Sequence, residues 1–467
     1  MRGNAGARGR ALSLMSLLAV AGCAPSAGGR AAGLMFVVTQ VPAGSGGLRK
    51  ASRLDLDGRY PLGSRVALVF AGARPGDVRV LSAGLASAGA PAVSPDGRRV
   101  LFAGRESAES RWAIFEVNLR AVWGRPRKAA DLGMDCADPA YLAGEGIVFS
   151  CGHKRGPWSL YSASLKTGGV ERITFGPGDA FDPAPLRDGR LLFSWADLAS
   201  GRPAAALFVV NQDGTWVEAF AAAHPRDSFA RRGRRTRDSG VVFVSGDAGS
   251  HGRIERVEMR RPMVRRRALA TGLSDARSAE PLPDGALLLA GRSTQDGVFR
   301  WREGGRLEPL FADPRFTAAE AVPVAASGPL KGRPSTVDMA RGSGTLLCYD
   351  SNQSDGVVGP HRGSPKAARV EFLAWKDGVE APLGWSAVES DGSFLVEAPA
   401  DLPIRVRTRD FRSRAVSTCG WFWVRSGEVR SCIGCHEGHE RMATNRLIKA
   451  LRHDARRLSP MERRDRP

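Results

Sequence analysis

The chain has 467 residues, with 68 Lys and Arg against 48 Asp and Glu, for a formal charge of +20. Such a balance suits nucleic acid, anionic lipid headgroups or an acidic protein partner. Beyond residue 23 nothing is apolar enough over the ~20 residues that a membrane-spanning helix needs, and the leader at the N-terminus argues against nucleic acid.

Arg2, Arg8 and Arg10 form a positive stretch ahead of an apolar run at residues 11–22. The run is too short to cross a bilayer and has the layout of an export signal. It ends in Val20-Ala21-Gly22-Cys23, similar to a bacterial lipobox. Cleavage before Cys23 and diacylation of that cysteine would anchor the mature protein to a membrane by two chains. An ordinary secretory signal with an incidental cysteine is the alternative. Ala24 points to the outer membrane. Residues 1–23 thus read as leader and lipobox of a cell-envelope protein on the periplasmic side, lipid-anchored, with no nucleic-acid partner. The basic runs at 231–235, 265–267 and 441–466 then read as solvated surface, or as contacts with anionic lipid or an acidic redox partner.

Residues 85–300 repeat a pattern. Ser94-Pro95-Asp96-Gly97 precedes Val100-Leu101-Phe102. Asp138-Pro139 leads through Gly146 into Ile147-Val148-Phe149, and Asp182-Pro183 through Asp188-Gly189 into Leu191-Leu192-Phe193. Asp238-Ser239-Gly240 precedes Val241-Val242-Phe243, and Pro283-Asp284-Gly285 precedes Leu287-Leu288-Leu289. The period, about 44 to 50 residues, is that of a propeller blade. Asp-Gly supplies the positive φ of a tight turn, and each apolar triplet reads as a strand buried between blades. Further strands follow at 112–117, 158–161 and 206–210, and Met35-Phe36-Val37-Val38 opens another blade. Six or seven blades of a β-propeller thus fill residues 33–325. The turns resemble those of the periplasmic propeller of the Tol system. His153, His224 and His251 read as scattered surface histidines.

Residues 326–425 read as a small β-sandwich-like domain after a linker at 329–334. Strands are predicted at 344–349, 368–375, 393–398, 404–409 and 421–424, with a hairpin turn at Glu389-Ser390-Asp391-Gly392. The fold class is therefore all-β: propeller, sandwich-like domain, and a haem-binding helical tail at 426–467.

The tail carries Cys432-Ile433-Gly434-Cys435-His436. C-x-x-C-H is the attachment signature of a c-type haem: two thiols add to the two vinyl groups of one porphyrin, and the histidine becomes an axial iron ligand. A structural zinc half-site is the alternative, but no second C-x-x-C supplies its other ligands. One covalent haem c is expected, on Cys432, Cys435 and His436. His439 stands on the same side of the iron as His436, so it would hydrogen-bond or bind a second metal. Met442, His453, His361 and His153 are the candidates for the distal position. The segment 442–458 has helical spacing at Leu447, Ile448 and Leu451. Four cysteines remain for disulfides, Cys136 with Cys151 and Cys348 with Cys419, although spacing does not fix connectivity and one of them could instead serve as a metal ligand or a thiol near the haem.

The run Asp391-Gly392-Ser393-Phe394, Val396-Glu397-Ala398-Pro399-Ala400, Trp421-Phe422-Trp423-Val424 and the segment from Ser426 to Glu437 resemble the middle domain of proteins related to the hydrazine synthase alpha subunit. Those relatives also carry an N-terminal propeller. They open the haem segment with proline, where Ser426 stands here. In hydrazine synthase itself a tyrosine just after the motif ligates the iron, and here no tyrosine occurs after Tyr349. Longer relatives continue into a further haem domain, and this sequence has no second C-x-x-C-H. The resemblance implies a propeller and a β-domain presenting one haem, not hydrazine synthesis. Electron transfer to a redox partner at the cell envelope is the leading expectation. A haem-dependent redox enzyme and a propeller scaffold lipoprotein are the alternatives.

Overall fold

The structure is a computed structural model that describes residues 33–45, 55–121, 124–154, 156–197, 199, 204–221, 229–246, 251–260, 262–263, 265–353, 365–434 and 447–459. The leader, Cys23, Cys435, His436, His439 and Met442 lie outside the described residues, as do His224, His361 and the basic end of the tail. No helix among the described residues is long and apolar enough to cross a membrane.

Among the described residues, six antiparallel four-stranded blades form a propeller. The first strands of five blades are Ser87–Val93, Asp135–Tyr141, Asp179–Pro185, Phe229–Arg235 and Asp275–Pro281. Together with Phe316–Pro323 they touch one another in a closed ring around the axis. The sixth blade joins the two ends of the domain, with Phe316–Pro323 pairing antiparallel to Met35–Pro42, followed by Arg65–Phe70 and Arg79–Val80. Two neighbouring blades are further linked by a single parallel bridge, Ala205 to Phe229.

The apolar triplets explain the tight blade stacking. Each lies in a second strand and is buried throughout. Alternate side chains point to opposite faces of a strand, so successive residues feed different inter-blade cores. Leu101 packs with Tyr60, Trp112 and Phe149, while Val100 and Phe102 pack with Val37 and Phe115. A strand buried on both faces reads as continuously apolar rather than alternating. The preceding turns behave as their sequences require. Gly97 takes φ +70°, and Ser94 Oγ accepts the Arg99 amide at 2.8 Å. Where Ser239 replaces glycine, it adopts φ +65°.

Cys136 and Cys151 face each other across one strand pair and are joined as a disulfide. The closed loop spans 15 residues, for which chain-entropy arguments give about 3 kcal/mol. Replacing both with Ala is expected to lower unfolding stability by about 2–4 kcal/mol, read as a fall in the urea midpoint. An unchanged midpoint would show that the bridge contributes nothing.

The middle domain is a two-sheet sandwich. One sheet orders Val429–Gly434, Ser343–Asp350, Phe394–Pro399 and Arg456–Arg457; the other orders Val379–Ala387, Arg369–Lys376, Ile404–Arg409 and Ala415–Thr418. Their inner faces share Leu346, Phe372, Val396, Ile404 and Val424. Three expectations are corrected here. The turn at Glu389–Gly392 is formed, with Gly392 at φ +87°, but it carries the chain from one sheet to the other, so it is not a hairpin. Residues 421–424 make only an isolated bridge from Phe422 to Ile404. The described part of the tail is not α-helical: Val429–Gly434 is a strand, and Lys449–Arg452 is one 3₁₀ turn. Ile448 is buried against Leu347 while Leu447 and Leu451 stay exposed, so only one apolar position of the helical pattern is covered.

Candidate functional site

The first cysteine of the C-x-x-C-H motif sits on Val429–Gly434, an edge strand that pairs parallel with Ser343–Asp350. Cys432 is the direct partner of Cys348. The glycine of the motif has a steric reason: a Cβ on Gly434 would lie 2.5 Å from the Gln353 carbonyl oxygen.

Upstream, the segment is fastened to the propeller turn that follows Asn211. Glu428 is buried, and its two carboxylate oxygens accept the amides of Trp216 at 2.9 Å and Arg425 at 2.7 Å. Burial raises the Glu428 pKa above the ordinary value, outweighing those donors and the charge of Arg430. Arg430 donates to the Val217 carbonyl at 2.5 Å and lies over the Phe422 ring. Arg425 donates to the Asp213 carbonyl, and Trp423 Nε1 donates to the Gly214 carbonyl at 2.9 Å. Ser426 donates its hydroxyl to Asp338 O at 2.7 Å and accepts the Gly342 amide at 2.9 Å. Trp216 holds φ +55° between these contacts.

Between the turn and the sandwich lies a cavity of about 480 Å³. Phe208, Trp216 and Glu218 line it from the propeller; Phe394, Trp421, Phe422, Arg430 and Cys432 line it from the middle domain. Cys348 and Cys419 open onto the same space. Volumes of ~300–1,000 Å³ with mostly apolar walls are typical of cofactor sites. Aromatic faces, a thiol on a strand edge and one guanidinium fit a flat apolar cofactor that carries acidic groups. The expected Cys348–Cys419 bridge is not made: Cys348 faces Cys432 across the strand pair, and Cys419 Sγ accepts the Val406 amide at 3.1 Å. His453 stands away from this cavity, largely exposed, 3.8 Å from Glu389. His153 is also exposed and outside it.

A second constellation was not anticipated from the sequence. The one-turn helix Leu56–Arg59 inserts Arg59 and Tyr60 among the first strands of the blades. Arg59 Nη2 lies 2.9 Å from Asp138, 3.0 Å from Glu320 and 3.3 Å from Asp182. Glu320 also receives Arg232 at 2.5 Å, Thr39 Oγ1 and the Ala90 amide at 2.8 Å each, and the Tyr60 hydroxyl. Burial pushes the Glu320 carboxyl up, but Arg232, Arg59 and the two hydroxyl donors outweigh it and hold it well below the ordinary value. Ala90, Asp138, Asp182 and Arg232 take the same positive φ at matching positions of their strands, where the register shifts by a bulge. Proline after Asp138 and Asp182 is tolerated because a bulge needs no ladder donor there. The recurring Asp-Pro pair was the available sequence signal.

Comparison with known proteins agrees with this architecture. The family profile "Hydrazine synthase alpha subunit middle domain" matches residues 353–437. The hydrazine synthase subunit alpha of Kuenenia stuttgartiensis is 22% identical over 520 residues, covering 82% of this chain and 63% of the relative. The chain thus spans less than two thirds of that protein. The solved Kuenenia stuttgartiensis hydrazine synthase superposes with a TM-score of 0.77 at 19% identity, covering 90% of this chain and 71% of the other. TolB from Acinetobacter baumannii gives 0.47 at 16% identity over 62% of this chain and 66% of that one. The chain is similar to the hydrazine synthase alpha subunit, and residues 353–437 match the profile of that subunit's middle domain.

Proposed function

We propose that this is an exported, lipid-anchored protein of the cell envelope that carries one haem c and passes electrons to a redox partner. The observation that carries the reading is Cys432, the first thiol of C-x-x-C-H, on the wall of an aromatic-lined cavity between propeller and sandwich. Bound there, a haem supplies one-electron chemistry at a potential set by its axial ligands and surroundings. The chain's own residues hold and shield it. Cys432 and Cys435 would form the thioethers and His436 would ligate the iron. Trp216, Phe394, Trp421 and Phe422 line the cavity and would shield a haem held there from water, and Arg430 would offer positive charge to its carboxylates. Cys432 is half-buried on an edge strand, a position from which a haem edge would be within reach of a partner. That position supports transfer over sequestered chemistry. Lipid attachment at Cys23 would fix the site on the periplasmic side of a membrane.

The full chain, made in a host with cytochrome c maturation, is expected to stain covalently for haem on a denaturing gel, and Cys432→Ala to abolish bis-thioether attachment. A polypeptide of unmodified mass from such a host would overturn the haem reading. A reduced spectrum unchanged by carbon monoxide supports electron transfer. Ready binding of carbon monoxide favours instead a haem-dependent redox enzyme.

A further inference from the structure

Three thiols converge on the cavity. Cys348, Cys419 and Cys432 all pack against the sandwich's apolar core and line the same space. Cys348 and Cys432 are more closely related than proximity alone implies. They are register partners on adjacent parallel strands. Direct partners on neighbouring strands project to one face, with strands ~4.8 Å apart, and Cα separations of ~4.4–6.8 Å are those a disulfide spans. Their neighbours confirm the facing: Leu346 and Cys348 belong to the buried core, and Arg430, two residues before Cys432, turns toward Phe422.

We propose that Cys348 is the disulfide partner of Cys432 in the polypeptide before haem is attached. The inference rests on the haem reading only for its consequence, since the bridge itself depends on the strand register. The reaction is thiol–disulfide exchange. The Cys432 thiolate attacks a small-molecule disulfide such as oxidised glutathione, forming a mixed disulfide and releasing one glutathione thiolate. The Cys348 thiolate then attacks Cys432 Sγ and releases the second. Two protein thiols lose two protons and two electrons, and the oxidant gains them as two thiols. A dithiol reductant runs the exchange backward. Thioether formation adds the Cys432 S–H across a vinyl double bond with no net electron change. Bridge and thioether use the same sulfur and exclude each other, so haem attachment to Cys432 requires prior reduction at Cys348. The buried position of Cys348, only 1% exposed, shields the bridge from bulky reductants and leaves the half-buried Cys432 as the point of entry.

The test uses the full chain from a host without cytochrome c maturation, equilibrated with oxidised glutathione, alkylated and digested without reduction. Mass spectrometry is expected to find a peptide joining Cys348 to Cys432. It should persist in Cys419→Ala, vanish in Cys348→Ala, and vanish from the wild type on dithiothreitol treatment. Recovery of Cys348 alkylated, joined to Cys419, or replaced as partner by a Cys432–Cys435 link in the wild type would overturn the proposal. A haem stain of the same chain from a maturing host decides the haem reading separately. Absence of stain in Cys348→Ala from the maturing host, where no bridge can occupy Cys432, sinks that reading and leaves the bridge of the wild type.

Discussion

Replacing Glu320 with Ala is expected to cost about 3–5 kcal/mol of unfolding free energy, the range for breaking a buried ion pair from one side. At about 2–3 °C per kcal/mol in a domain of this size, Tm falls by roughly 6–15 °C. The reason lies in what remains. Arg59 and Arg232 are both buried against this carboxylate, and without it two guanidinium groups share the remaining Asp138 and Asp182. The Thr39 and Tyr60 hydroxyls and the Ala90 amide also lose their acceptor. Glu320→Gln keeps an acceptor but not the charge, and should fall between. The pH dependence adds a signature. Because Glu320 titrates below its unfolded value, its contribution is complete above an unfolded carboxyl pKa of about 4.3 and is lost as pH falls toward the folded value. Asp182 is also held low, its burial outweighed by Arg59 and Arg232. Asp138 is pushed the other way, by burial ahead of Arg59, and offsets part of the loss. Urea melts from pH 7 to 3 should therefore show a shallower acid decline in Glu320→Gln than in the parent. Equal slopes, or an alanine variant within 1 kcal/mol of the parent, would reduce this cluster to a passive filling of the axis.

The second large effect is expected at Trp423. Its ring is 1% exposed and meets Phe175 and Trp195 edge-on at centroid distances of 6.1 and 5.7 Å. Its Nε1 holds the Gly214 carbonyl across the boundary between propeller and sandwich. Truncating a fully buried tryptophan costs about 3–5 kcal/mol, and here the hole opens between domains rather than inside one. Trp423→Ala should loosen the docking of the motif strand on the turn that carries Trp216. Limited proteolysis should then cut faster in the strandless stretch 325–342, while the urea midpoint of the blades moves less. Trp423→Phe keeps the edge-on packing, loses the Gly214 bond, and should cost less. Uniform destabilisation with no change in cleavage at 325–342 would place the tryptophan inside the propeller's own core.

Much of the architecture was legible because it is written locally. Ser94-Pro95-Asp96-Gly97 forms its turn from its own side chains, through Ser94 Oγ and Asp96, so the blade repeat could be read without knowing its neighbours. The motif cysteine was legible for the same reason: two thiols and a histidine at fixed spacing carry their chemistry in the sequence. What sequence could not supply was depth. Glu320 looks like any glutamate in a strand, and its role appears only when Arg59, some 261 positions away, is brought onto the axis. Residues 421–424 have strand-like composition, yet their aromatic side chains anchor onto the blades instead of pairing in a ladder. The segment 442–458 read as a helix by its spacing, but in its described part only Ile448 of the apolar positions is covered, Leu447 and Leu451 stay exposed, and the chain makes one 3₁₀ turn at Lys449–Arg452.

The strand Met35–Pro42 has no partner on its inner side until Phe316–Pro323 arrives. Thr39 and Glu320 are separated by 281 positions, so closing the circle confines a very long stretch of chain, and contacts this distant slow folding. A polypeptide threaded across a membrane from its amino end would present its opening strand to the far compartment long before the closing strand emerged. Its unpaired edge is a template for neighbouring chains during that interval. On the proposed export, chaperone demand would therefore be concentrated on Met35–Pro42 and would end when Phe316–Pro323 pairs with it.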